Sequence, residues 1–223
     1  DLNDKGDWRP PGRIELHQGF WRIQGAGKFT TWNTHPFSKG RSYTLSLQLR
    51  KAPNTPPAQF YFGFIPCTDE ERNIREQMVK VVSGSEGLLA EAVQAGSMSI
   101  LVKAENPDCW MNAIKKLVTF AARPDYSDLP ARYISSPIES VKMRNDQLLE
   151  ISFASALADS YPNGLGVRLH DVGSNMNLYL GSIGEVPEEW TQYQGTIKEQ
   201  LLVGWKASAW PSGTACFFPF FMA

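Results

Sequence analysis

The sequence predicts an all-β protein, a sandwich or a barrel. Two observations carry this: apolar residues alternate with period two in short runs, and Gly, Pro, Asn or Asp separates nearly all of those runs. The chain has 223 residues, 42% hydrophobic and 12% aromatic, enough to bury a large core in a single domain spanning 1–223.

The clearest strand is SYTLSLQLR, residues 42–50, which sets Tyr43, Leu45, Leu47 and Leu49 on one face and Thr44, Ser46, Gln48 and Arg50 on the other. The loop KAPNTPP leads into QFYFGFIP, residues 59–66, with aromatics on both faces, and these two strands are expected to pair antiparallel. Further β-like runs cover 98–103, 148–154, 165–170, 178–183, 192–198, 201–206 and 214–221, with turns such as PNG at Pro162 and SNMN at Ser174 between them. The middle reads differently. Residues 69–82 and 109–120 can each carry helix, and NPDCWMNAIKKL opens on an Asn or Asp suited to capping one. Residues 84–135 are therefore expected to form an insertion or elaborated crossover, mixed and partly helical.

Charge excludes some partners. Lys and Arg total 22 against 23 Asp and Glu, a formal net charge of -1, so no basic field exists to hold a nucleic-acid backbone or an anionic membrane. Membrane insertion is not expected either, because no apolar run approaches the ~20 residues that span a bilayer. The chain starts at Asp1 without a Met or a signal peptide, which points to a fragment of a longer polypeptide or a processed product. Cys67, Cys109 and Cys216 are odd in number, far apart and without CxxC spacing, so buried small hydrophobes are the expected role, in keeping with folding in a reducing cytoplasm.

Tryptophan is the residue type that stands out, at 8, 21, 32, 110, 190, 205 and 210. A Trp serves either as core or as a platform on which the CH-rich face of a sugar stacks, with nearby amides, carboxylates and Arg forks bonding the hydroxyls. Trp8 in DWRPPG, Trp32 in TTWNTHP and Trp210 in SAWPSG stand in loop-like settings. With His35 beside Trp32, they are the candidate sugar-binding residues, whereas Trp21, Trp190 and Trp205 read as structural. No metal site is expected from His17, His35 and His170, which lack i,i+4 pairing, and no cofactor is assigned. A structural calcium at the turn TDEERN, through Asp69 or Glu70, is the one ion the sequence suggests. No catalytic residue is assigned. There is no GxSxG, GAG at 25–27 is not GxGxxG, and the acids at 69–71 and 188–189 read as solvated turns. Arg168 and His170, on one strand face in VRLHD, are the only hint of a jelly-roll polysaccharide lyase or hydrolase.

Three segments, in order, resemble a family of phage tail-fibre and tail-spike domains with a carbohydrate-binding-module-like jelly roll. They are SYTLSLQLR with QFYFGFIPCTDEERNI, then LLAEAVQAGSMSILVKAENPDCW, then YPNGLGVRLHDVGSNMNLYL through VPEEWTQYQGTI to AWPSGTACFFPFFMA. Ser97 stands where the family pattern has an Asp, so a role for that acid is lost. The resemblance implies a jelly-roll β-sandwich in a homotrimeric fibre or spike of the virion tail, made in the host cytoplasm and binding host surface polysaccharide or lipopolysaccharide for adhesion. It transfers no catalytic residue. A purely structural or oligomerisation module of the fibre is the alternative.

Overall fold

A computed structural model of the chain describes residues 8–9, 13–17, 20–24, 27–181 and 184–223. The first strands are β1 (Trp8–Arg9), β2 (Arg13–His17), β3 (Phe20–Gln24), β4 (Lys28–Thr31), β5 (His35–Pro36), β6 (Tyr43–Leu49) and β7 (Gln59–Cys67). The middle carries β8 (Gly87–Leu89), β9 (Ser99–Ala104), β10 (Leu117–Phe120), β11 (Ile138–Met143), β12 (Leu148–Phe153) and β13 (Gly166–His170). The chain continues through β14 (Leu178–Tyr179), β15 (Gly184–Glu185), β16 (Thr191–Ile197) and β17 (Cys216–Met222). The protein is thus nearly all β, as its alternation predicts. Gly25 and Ala26 of the GAG turn, residues 182–183 of the run 178–183, and the side chains of His17 and Trp21 lie outside the described residues.

Two buried clusters organise the strands. In the first, the inward residues of β6 and β16, among them Leu49 and Ile197, close over Phe60, Phe62 and Phe64 of β7 and Phe217 of β17. These strands come from both ends of the chain, and the sheet they face runs β1-β4-β17-β7-β14, with β15 on β7 and β5 on β17. The second cluster belongs to the middle of the chain, where a six-stranded sheet ordered β10-β13-β8-β9-β12-β11 buries Ile100, Val102, Leu149, Ile151, Val167 and Leu169. Antiparallel pairing holds throughout both sheets.

Three expectations are corrected. β6 and β7 do not pair: β6 takes β16, with Tyr43 opposite Ile197, and β7 takes β17, with Phe64 opposite Pro219. The polar side of β6 explains the choice, because Thr44 and Thr196 share a 2.8 Å hydroxyl hydrogen bond across the ribbon while the Tyr and Leu residues turn to the core. The middle is not appreciably helical. Its one α-helix, Pro107–Met111, spans five residues, and the segment 69–82 carries only a 3-10 turn at Glu76–Met78. Trp110 is drawn into the second cluster and Lys115 takes a positive φ of 69°, so the chain leaves the helical path and enters β10. Residues 201–206 form no strand, because Gly204 turns at φ 84° and bonds the Val79 carbonyl at 3.0 Å instead of a sheet edge.

Cys67 and Cys216 are buried as expected and stand opposite one another across β7 and β17, while Cys109 is half-buried. Among the described residues no helix is long and apolar enough to cross a membrane.

Candidate functional site

The four sequence candidates separate. Trp32, 51% exposed, lies at the edge of the β1–β4–β17 sheet, where the Arg9 guanidinium sits 4.8 Å from its ring and 5.7 Å from that of Phe218. Arg9 Nη2 also donates to the Trp32 carbonyl at 2.6 Å, which fixes the cation on the ring's face. Trp8 is half-buried in β1 opposite Thr31. His35 is half-buried and stacks on Phe217 at 5.7 Å, on the core side of β17 and away from Phe218. Trp210 is fully buried, with Phe37, Tyr43, Phe64 and Phe217 within 5.0–5.4 Å of its ring, so it offers no face to a ligand. Trp190, expected to be structural, is 45% exposed and carries Arg50 over its ring at 5.2 Å and Phe20 edge-on at 5.2 Å. Trp205 is half-buried under Lys80.

Tyr133, also exposed at 49%, was not singled out by sequence. It lines a cleft of about 570 Å³ between the loop 121–133 and residues 68–69 and 213–215, together with Asp69, Arg123, Asp128 and Arg132. The far wall depends on Gly213, at φ 69°, where a Cβ would lie 2.1 Å from the Pro130 ring. Any other residue would push that wall off the loop.

The turn 68–73 joins Trp32 to this cleft. Thr68 closes the turn, its hydroxyl accepting from the Glu70 and Arg72 amides at 3.3 Å and its own amide donating to the Arg72 carbonyl at 2.9 Å. On one side Thr34, two residues beyond Trp32, donates to Glu71 at 2.8 Å. On the other, Arg132, beside Tyr133, holds Asp69 at 3.0 Å and Glu70 at 2.8 Å, and Arg72 holds Glu70 at 3.2 Å. The turn is thus a hydrogen-bonded strip of exposed carboxylates and guanidiniums, tied through Thr34 to the segment that carries Trp32 and through Arg132 to the one that carries Tyr133. A calcium at this turn would have to displace Arg132, and among the described residues no group of three or more His, Cys, Asp or Glu is arranged to hold a metal ion.

A buried ion pair positions the loop. Arg168 projects from β13 on the face opposite the second core, and its side chain is 0% exposed. It donates to Asp128 at 2.8 Å and to the Arg123 carbonyl at 3.2 Å, and it lies 4.9 Å from the Tyr126 ring. Asp128 in turn accepts from the Arg123 amide at 3.0 Å, so the base of the 121–133 loop is tied at several points. Asp125 and Ser127 stiffen its tip through bonds of 3.1 and 2.8 Å, which hold the Asp125 carboxyl below the usual carboxylate range.

His170 shares the face with Arg168, as its spacing predicts, and is also 0% exposed. Its Nδ1 lies 2.8 Å from the Gln77 carbonyl and donates to it, leaving Nε2 to accept from Arg168 Nε at 3.3 Å. Both groups face inward, which makes the pair structural. Burial, with the Arg168 charge acting in the same direction, pushes the imidazole from 6.5 down to about 4 despite the Gln77 bond. The unfolded chain then binds a proton that the folded one refuses between those values, so stability falls as pH drops from 6.5 toward 4. Urea unfolding at pH 7 and pH 5 is expected to show a smaller loss for His170→Gln, whose amide can replace both bonds without titrating, than for the wild type. Equal losses would remove His170 from the account.

Comparison with family models, with curated proteins and with solved structures finds no match.

Proposed function

We propose that this chain is a jelly-roll module of a phage tail fibre or tail spike that binds host surface glycan for adhesion, as a homotrimer and without catalysis. The virion setting, the trimer and the jelly-roll topology rest on the motif resemblance alone. Glycan binding rests on one observation, that two exposed aromatics, Trp32 and Tyr133, stand on the segments bonded through Thr34 and Arg132 to the 68–73 carboxylate and guanidinium strip. Sugars are recognised by aromatic faces that take their CH surface and by cooperative networks of planar polar groups that bond their hydroxyls, and both occur along this surface.

Titration with host lipopolysaccharide or capsular oligosaccharide, selected on a glycan array, tests the proposal. Trp32→Ala and Tyr133→Ala are each expected to weaken binding roughly tenfold, as removal of a stacking platform worth about 1.4 kcal/mol would. Both side chains are about half exposed, so Tm is expected to hold. An oligomeric sample that binds no saccharide on the array would leave the structural fibre module as the better assignment.

A further inference from the structure

The outer face of the β1–β4–β17–β7–β14 sheet carries a second, distinct set of groups. Register places Arg9, Thr30, Phe220, Gly63 and Tyr179 in one row across the five strands, all on the side away from the first core. The middle of the row is closed, since Phe220 is 0% exposed beneath Lys28 and Tyr179, so the reachable groups are Arg9 at one end and Tyr179 at the other, about 19 Å apart at the usual strand spacing. Lys28 and Tyr61 lie on the same face, one side-chain repeat from Thr30 and Gly63. Gly63 is required at the centre, because a Cβ there would meet the Leu178 carbonyl at 1.8 Å and the Phe220 ring at 3.1 Å.

Two cations stand over aromatic rings on this face. Arg9 covers Trp32 and Phe218, and Lys28 Nζ lies 4.8 Å from the Phe220 centroid. Lys28 also donates to Asn177 Oδ1 at 2.6 Å, Asn177 Nδ2 donates to the Tyr179 hydroxyl at 3.2 Å, and the Tyr61 and Tyr179 rings lie 5.8 Å apart. Among the described residues neither Arg9 nor Lys28 has a carboxylate within ion-pair distance, unlike Lys51, Lys80, Lys116, Arg132, Arg144, Arg168 and Lys206. The acid that shares the face in register is Glu185, opposite Gln59 toward the far end of β7. Lys28 is half-buried and its pKa is lowered by that burial, the condition of a cation that gains from an incoming anion.

We propose that this outer face binds an anionic saccharide, its carboxylate or sulfate held by Arg9 and Lys28 and its rings laid on Phe218, Tyr61 and Tyr179. The proposal depends on the glycan-binding assignment above and narrows the ligand to acidic polysaccharide. Oxygen anions are matched by the Arg fork and the Lys ammonium, while Asn177 and Tyr179 supply the uncharged donors and acceptors that sugar hydroxyls need.

The test is titration of the intact oligomer with an oligogalacturonate, with its carboxyl-reduced neutral counterpart and with a sulfated oligosaccharide, at low and high salt. The wild type is expected to prefer one acidic ligand, with affinity falling as salt rises. Which of the two it prefers assigns the anionic group. The Lys28→Met/Arg9→Gln pair is expected to lower acidic-ligand affinity at least roughly tenfold per charge, a larger loss than for any neutral ligand that Trp32 holds. Equal binding of neutral and acidic ligands, with no change in the double variant, would overturn the proposal and leave the Trp32–Tyr133 surface standing. Absence of binding to all three and to the host glycan array would overturn both. Dissociation of the oligomer by the double variant, with acidic-ligand affinity intact, would make this face a subunit interface instead.

Discussion

Asp128→Ala is expected to destabilise the protein by about 3 to 5 kcal/mol and to loosen the loop that presents Tyr133. The reason is the asymmetry of buried charge. Arg168 is fully enclosed, and Asp128 is the carboxylate that neutralises it, at 2.8 Å. Removing the acid leaves a buried guanidinium without its counter-charge, although the Arg123 carbonyl and His170 Nε2 still accept from it. The loop 121–133 loses its anchor at the same moment, because Asp128 also accepts from the Arg123 amide. Chemical denaturation measures the first effect and saccharide titration the second. Arg168→Met in the Asp128→Ala background removes the stranded charge and is expected to recover much of the stability but not the ligand affinity. A single-variant loss under about 1 kcal/mol would mean that Arg168 finds water in the native state, and the loop would need another anchor.

The second large effect is expected at Trp210, where Ala should cost about 3 to 5 kcal/mol by opening a cavity in the first core. Trp210 is 0% exposed among four other aromatic rings, and its backbone bonds Glu199 at 2.9 Å and Leu201 at 2.8 Å, so neighbouring segments have little freedom to collapse inward. Trp210→Phe separates size from hydrogen bonding. Among the described residues the indole Nε1 is buried without a hydrogen-bond partner, so Phe removes an unsatisfied donor along with the second ring. Its cost is expected to be well under half that of Ala. Thermal unfolding of the two variants distinguishes a core residue from a ligand platform, because a platform would show the opposite pattern, with stability retained and binding lost.

Strand existence was legible because period-two alternation is a local property, and the run at 42–50 appears as β6 almost to the residue. Strand partners were not. The choice of β16 for β6 depends on matched polar residues about 150 positions away, such as Thr44 with Thr196, and a short intervening loop is a poor guide to such a match. A helix does begin at NPDCW, with Pro107 in its first turn and no cap bond from the Asn106 side chain, yet it ends after five residues, with Trp110 in the second core. Turn punctuation misled most at Trp210. Pro and Gly mark where a chain bends but not whether the bend faces water, and SAWPSG bends with its Trp inward.

The site was half visible for the same reason. Trp32 stood out by residue type and setting, and it is exposed. Tyr133 and Arg132 carried no motif, since their meaning comes from the buried Arg168–Asp128 pair that folds their loop against the 68–73 turn. The one available signal was chemical: an Arg-Tyr pair, ARYI, following LP in a segment otherwise assigned to an insertion.

Hydroxyl-radical footprinting of the protein, with and without added saccharide, tests the proposed glycan surface most directly. Saccharide is predicted to protect Trp32 and Tyr133 together, with Trp190 unchanged. Protection confined to Trp190, or none at either Trp32 or Tyr133 under saturating saccharide, would contradict it.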